Sequence, residues 1–489
     1  MHATARASIT VALVLFGSGQ GLAQPVSALI DAARLDDTER LDALLAIGAD
    51  PDAQQGDGAT ALHWATHRNN ITAIDALIEA GASVGLANDL GATPLWLAAG
   101  NGGADAVARL LGAGADPDAT LQMGETPLMA AARAGASGVV EQLLDAGADP
   151  NVAELERGQT ALMWAAAQSH VEIVRQLTAA GADLHARSKV WHQLENTAGN
   201  TNPSGNFKMA HGGSTPLLFA ARNGDLETAR VLVEAGADVN DVAAAGTSAL
   251  VIAAHSGHGT LGEYLLDAGA DPNLAEAGYT ALHAAVLRGQ VDLATALLEH
   301  GADVDALVEH GTPGRRFSAD FSIRHQYVGA NALWLAARYG ELEIVRRLLD
   351  ADADAYNVPG IGMTTVQAAM GMPGNTAEDR RNQVDVPPAM DLAEEEAMVV
   401  ELTTLLLDQG VDVNLPGGNG NTALHDAVRR GFGDVVRHLV EQGADVNAPN
   451  GRDQTPLHLA ETPQTIPGTN GARGTLPEIA EILRSLGAE

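Results

Sequence analysis

The chain has 489 residues, with 28 Lys and Arg against 62 Asp and Glu, a formal net charge of −34, and no cysteine. That balance argues against nucleic acid and anionic membrane as partners, since binding either depends on neutralising phosphate. The missing thiol removes cysteine catalysis, Cys-ligated zinc, iron–sulfur clusters and covalently attached haem, and leaves stability to packing rather than disulfides.

In chain order, residues 1–23 read as a secretory signal. Arg6 is the basic residue of its n-region, Ile9 to Phe16 is a short apolar core, and Gly21-Leu-Ala23 supplies the small-x-small pattern before Gln24. The apolar run is too short to span a bilayer, no later segment is a membrane-span candidate, and no cysteine follows to carry a lipid anchor. The expectation is an exported protein, periplasmic or secreted.

Beyond the signal, one phrase returns about every 33 residues. Ser27 to Gln55 keeps Leu29-Ile-Asp-Ala-Ala33 and Leu44-Leu-Ala-Ile-Gly-Ala-Asp50 but lacks the opening Gly-x-Thr. Glycine-led copies then begin at Gly58, Gly91, Gly124, Gly158, Gly213, Gly246, Gly278, Gly329, Gly362 and Gly420. The clearest are Gly58-Ala-Thr-Ala-Leu-His63, Gly278-Tyr-Thr-Ala-Leu-His283 and Gly420-Asn-Thr-Ala-Leu-His425, and units close on phrases such as Leu297-Leu-Glu-His-Gly-Ala-Asp-Val-Asp305. A unit this short cannot bury a core alone, so it must stack on its neighbours.

One unit shows the local logic. In Gly124-Glu-Thr-Pro-Leu-Met129, Thr126 can accept from a free first-turn N–H, and Pro127 suits a first helical position that needs no donor. Ala130-Ala-Ala132 keep that helix thin. A second helix is predicted over Val139 to Asp145, with Val140, Leu143 and Leu144 facing the core. Gly147 stops it, and Ala148-Asp-Pro-Asn151 is turn chemistry, so much of the chain's acid is structural.

The phrase resembles the ankyrin repeat, with its turn, Thr-Pro-Leu-His, helix pair and Gly-Ala-Asp turn. The resemblance implies an α repeat solenoid of about 12 stacked helix-turn-helix ankyrin repeats with short β-hairpin-like fingers. It predicts one domain over 24–489, with an N-terminal cap at 27–57 and a C-terminal cap at 453–489, from Gln454-Thr-Pro-Leu-His458 onward. With helix layers roughly 10 Å apart, about twelve units span on the order of 100 Å.

The repeat is interrupted where it does not need to be. Between the runs 58–189 and 213–305 lies a finger insertion at 190–212; a second, at 306–328, precedes the run 329–452. They hold Trp191, Phe207, Phe317, Phe321 and Tyr327 with Lys208, Arg315, Arg316 and Arg324, and aromatic rings with arginine are the composition of interface anchors. The competing reading is that each folds back to cover a repeat's edge. Two further breaks, 373–391 and Glu461 to Gly474, fall between helices and read as surface loops.

The resemblance also assigns a groove-facing pair before each inter-helix loop glycine. Those positions hold His67 and Arg68, Arg133, Arg222 and Asn223, Leu287 and Arg288, Arg338 and Tyr339, and Arg429 and Arg430. A basic row within an acidic protein would focus an anionic partner, unless each arginine simply pairs with a neighbouring acid. His63, His283, His425 and His458 occupy the Thr-x-Leu-His slot, which the family uses to bond backbone. His192, His211, His310 and His325 are off-pattern but too far apart along the stack to share one metal. No His-Glu-x-x-His, Gly-x-Ser-x-Gly or phosphate-loop spacing occurs. Met363, Met370, Met372, Met390 and Met398 cluster, and Met370-Gly-Met372 is a thioether pair of the kind that binds Cu(I), although methionine more often fills irregular core.

The expected function is a non-enzymatic, monomeric protein-interaction scaffold, without cofactor or metal, holding a protein partner by the groove and the inserted fingers. The alternatives are a ligand- or metal-handling accessory protein and an enzyme with a loop-built site.

Overall fold

A computed structural model describes residues 25–196, 206–311, 323, 325–371, 391–465 and 472–489; the expected signal at 1–23 lies outside them. Among the described residues are 24 α-helices in 12 consecutive pairs, matching the expected repeat count. They fall into two compact units. In the first unit the leading helices α1 (Pro25–Arg34), α3 (Ala61–His67), α5 (Pro94–Asn101), α7 (Pro127–Ala134), α9 (Ala161–Ala167) and α11 (Pro216–Asn223) pack side by side. Behind them run α2 (Thr38–Ala46), α4 (Ile71–Glu79), α6 (Ala104–Gly112), α8 (Ser137–Asp145) and α10 (Val171–Ala179), and α12 (Leu226–Glu234) follows α11.

The second unit repeats the plan. Its leading helices are α13 (Ala249–Ser256), α15 (Ala281–Arg288), α17 (Ala332–Tyr339), α19 (Thr365–Ala369), α21 (Ala423–Arg430) and α23 (Pro456–Glu461). The trailing row is α14 (Gly259–Asp267), α16 (Val291–Glu299), α18 (Leu342–Asp350), α20 (Leu392–Leu407), α22 (Gly433–Glu441) and α24 (Pro477–Ser485). This unit also holds the antiparallel hairpin β1 (Trp191–Asn196) and β2 (Asn206–His211).

The Gly124 unit behaves as its residues dictate. Thr126 Oγ1 accepts from the Met129 N–H at 3.2 Å, Pro127 opens α7, and Gly135 at φ +78 closes it. The second helix starts two residues earlier than predicted, at Ser137, because the turn is only Gly135-Ala136 and the Val139 and Val140 N–H groups already bond the Ala136 carbonyl. In consequence Val139, not Leu144, completes the buried stripe with Val140 and Leu143. The acidic turns bind each other across repeats: the Asp149 N–H donates to Asp118 Oδ1 at 3.0 Å, and the Asp183 N–H to Asn151 Oδ1 at 2.7 Å. After α24 the Glu489 N–H takes the same place on Asn447, at 2.9 Å.

Of the two inter-helix breaks, residues 372–390 lie outside the described set, and Asp391 caps α20, its carboxylate accepting from the Glu394 N–H at 2.9 Å. α20 ends at Leu407. Residues 461–474, read as loop, carry a short ladder of β3 (Gln464–Thr465) with β4 (Ala472–Arg473).

The ten opening glycines all have positive φ. At Gly91 the reason is double: φ is +85, and a Cβ would meet the Gln122 backbone nitrogen at 2.8 Å. That nitrogen donates to the Leu90 carbonyl at 3.1 Å, one finger to the next. The slot residue makes a second link. His63 Nδ1 accepts from the Thr60 N–H at 3.1 Å, so Nε2 carries the hydrogen and donates to the Ala92 carbonyl of the following finger at 2.9 Å. His425 does the same with Thr422 and the Gln454 carbonyl, at 3.2 and 3.1 Å. Gln367 fills the slot without an imidazole, accepting from Thr364 at 3.0 Å and donating to the Asn421 carbonyl at 2.9 Å. His458, in the slot of α23, is exposed.

Burial lowers the imidazoles of His63 and His425, and takes the fully buried His283 to about 4 against the pull of the Ala306 and Ala330 carbonyls. A depressed folded-state value means the unfolded chain takes protons first. The stability these groups allow at neutral pH is therefore lost as pH falls below about 6.5, and for His283 the loss continues down to about 4. His283→Gln, copying Gln367, is expected to lose about 2–3 kcal/mol less than the parent between pH 7 and 4.5 in urea titrations. Gly91→Ala is expected to cost about 1–2 kcal/mol for its left-handed backbone plus the broken approach to Gln122. Gly81→Ala, at φ +88 with nothing near its Cβ, is expected to cost the first part alone. Equal losses in the two glycine variants would deny the finger contact any weight.

Candidate functional site

The leading-helix face of the first unit combines the expected ridge residues with rings that spacing did not single out. His67 meets Trp64 edge-on at 6.0 Å. Arg133 lies 5.2 Å over the Trp164 ring and pairs with Glu125 at 2.8 Å. Arg222 lies 6.0 Å over Phe219. Trp64, Trp164 and Phe219 all follow the slot position directly, which is the signal that marks them in the sequence. Burial pushes the Glu125 carboxyl up, with Arg133 pulling it back only in part.

Other ridge residues finish helix ends. Arg68 Nε donates to the Arg34 carbonyl at 3.1 Å, Asn101 to the His67 carbonyl at 3.4 Å, and Asn223 to the Ala167 carbonyl at 2.7 Å. These are last-turn carbonyls that have no partner within their own helix. At these three positions the ridge therefore locks a repeat to the one before it.

In the second unit Arg288 lies against Gly257, at the end of the preceding leading helix. Arg429 sits 3.5 Å from Asp426, whose carboxyl burial pushes up despite Arg429, Asn421 and Gln367 beside it. Arg430 pairs with Glu395 and lies 4.6 Å over the Phe432 ring. Arg133, Arg429 and Arg430 are thus matched in place by acids, and the ridge is not one unbroken cationic row. Arg338 differs: it is 3% exposed. Tyr339 meets Tyr327 edge-on at 6.4 Å.

The first insertion is an antiparallel hairpin in which Trp191 faces His211 across the ladder and the two rings stack at 5.6 Å. Trp191 remains 49% exposed, with Val190 and Leu194 also open to solvent. Phe207 stands opposite Glu195 in the register. Lys189 bonds the Leu155 carbonyl of the preceding finger. Of the second insertion, Arg315, Arg316, Phe317, Phe321 and Arg324 lie outside the described residues.

Tyr327 corrects the expectation that it contacts a partner. It is buried with Val308 and Ile323, its ring 5.4 Å from Trp334. The slot residue Trp334 offers a large apolar face there, and covering it removes more surface from water than exposure would leave for capture. His192 is exposed, and His310 lies against Gly278. Among the described residues no three His, Asp or Glu side chains gather as metal ligands. Met370 is buried and the Met398 thioether covers Gly340, while Met372 and Met390 lie outside the described set. No described helix is long and apolar enough to cross a membrane.

Comparison with known proteins agrees with this architecture. The family description of ankyrin repeats in three copies matches residues 29–120, 96–188, 194–276, 217–308 and 276–358, and that of ankyrin repeats in many copies matches 406–460. A search of curated proteins found no match. Among solved structures, the human ASB11 ankyrin repeat domain is similar at 27% identity, covering 50% of this chain and 98% of that one, with a TM-score of 0.40. Ankyrin repeats generally serve protein–protein interaction and are typically non-enzymatic. With family matches over well more than half of its length, the chain belongs to the ankyrin-repeat family.

Proposed function

We propose that this protein is a non-enzymatic scaffold that holds a protein partner by its fingers and its leading-helix face. One observation carries the reading. Leu90, Met123 and Leu155, at the tips of three successive fingers, are each more than half exposed. Their backbones are nonetheless fixed, the Gln122 N–H on the Leu90 carbonyl at 3.1 Å and the Leu155 N–H on the Met123 carbonyl at 2.7 Å. Apolar groups held ready on a rigid backbone lose little freedom on binding, so more of their burial appears as affinity. Trp191 and Leu194 on the hairpin have the same character, and a half-exposed tryptophan is a common interface anchor.

The reading extends to address and state. The Arg6, Ile9–Phe16 and Gly21-Leu-Ala23 pattern supports export to the periplasm or beyond, and the scaffold acts as a monomer. The surrounding acid disfavours nucleic acid and anionic lipid, so selection falls to the apolar tips and the groove arginines and aromatics.

The test is cross-linking in the native cell with the intact chain, a Trp191→Ala/Leu194→Ala variant and a Leu90→Ser/Met123→Ser/Leu155→Ser variant. Recovery of one partner is expected to fall at least about tenfold in one or both variants, a loss of about 1.4 kcal/mol or more. Their unfolding free energies are expected to change by less than about 0.5 kcal/mol per site, as for exposed substitutions. Undiminished recovery from both variants would remove the fingers from the binding surface.

A further inference from the structure

The Arg338 guanidinium ends the leading helix α17, where it is 3% exposed and neither Nη1 nor Nη2 has a hydrogen-bond partner among the described residues. Arginine keeps its proton at any pH a protein meets, so it cannot escape burial by becoming neutral. Its position in the last turn suits the helix dipole, yet neither Nη group bonds a carbonyl there. Nor is the charge needed for packing. Leu287 fills the equivalent place one repeat earlier, also 3% exposed. Arg429, at that place in a later repeat, has Asp426 at 3.5 Å. Arg338 alone of these carries a buried charge with its Nη donors unused among the described residues.

We propose that Arg338 is the receiving group of a site for a small two-oxygen anion, a free carboxylate or phosphate. Nη1 and Nη2 form a planar fork whose spacing matches two oxygens of such an anion. Trp334 lies one turn earlier on the same face of α17, and Tyr327 packs against both Trp334 and Tyr339. Burial of the guanidinium itself keeps water away, which strengthens an ion pair formed there. It uses none of the finger-tip residues proposed to hold the protein partner, and it explains why arginine replaces an adequate leucine.

The test uses the full chain dialysed into chloride, then titrated at constant ionic strength with sodium acetate and, separately, sodium phosphate. Wild type is expected to show a saturable rise in its unfolding midpoint with at least one of them, and the responding anion names the class. Arg338→Leu, with the side chain already accommodated at 287, is expected to unfold no earlier than wild type in chloride and to lose the saturable response. Calorimetric titration of Arg338→Lys, which keeps the charge but not the fork, is expected to show at least about tenfold weaker binding. No saturable response from wild type to either anion would overturn the proposal, as would the same response from wild type and the leucine variant. Should Arg338→Leu fail to fold, equal affinities in wild type and Arg338→Lys would overturn it equally.

Discussion

Where the slot is polar, the stack depends on a side chain that holds its own helix start with one atom and the next finger with another. His63 accepts from Thr60 and donates to Ala92; Gln367 accepts from Thr364 and donates to Asn421. Trp334 keeps only the second half, its Nε1–H donating to the Met363 carbonyl at 2.9 Å. The shared requirement is a donor that reaches across the interface, not an imidazole. In a stack where each unit contacts only its neighbours, such a link transmits order from one unit to the next. Where Met129, Met163, Leu218 and Val251 occupy the slot, all fully buried, apolar packing carries the interface instead.

The same linkage makes the fingers usable. A turn tip left to itself would lose freedom on meeting a partner, and that cost would offset much of what burial contributes. Here each tip is tied to the one before by a backbone hydrogen bond, and the turn below is tied through Asp and Asn side chains, as between Asp118 and Asp149. Part of the acid that dominates the charge, such as Asp52, Asp118 and Asp305, thereby accepts from backbone N–H groups of the next repeat. The chain can be strongly anionic and still present apolar tips at Leu90, Met123 and Leu155.

Legibility followed periodicity. The 33-residue return exposed the helix pairs, the positive-φ glycines and the capping Thr residues, because each is set by neighbours a few positions away. Residues whose surroundings come from another repeat were harder to read. Trp164 and Arg133 are 31 positions apart, and nothing in either segment alone announces their contact. Tyr327 has an interface anchor's composition, yet Trp334 sits where the ring can cover it, and burial wins. The early start of α8 was hidden because Ser137 and Gly138 are poor helix formers, while the tight Gly135-Ala136 turn leaves the chain no other place to begin. In the sequence Arg338 is one more ridge arginine, since sequence does not reveal which of several acids lies within reach.

That last distinction separates two uses of one residue type. Arg133, Arg429 and Arg430 each face an acid within their own unit, so their charge is consumed in holding the stack. Such partly exposed pairs add little stability individually; their value lies in fixing the aromatic rings beneath two of them, Trp164 and Phe432. Among the described residues, Arg338 has neither an acid nor a carbonyl on its Nη groups, in a place where Leu287 shows that an apolar side chain suffices. A repeat protein copies its positions many times, and a copy that departs toward a costlier residue needs a gain that packing does not provide. For the Arg338 guanidinium, an anion from outside the described residues is the gain we propose.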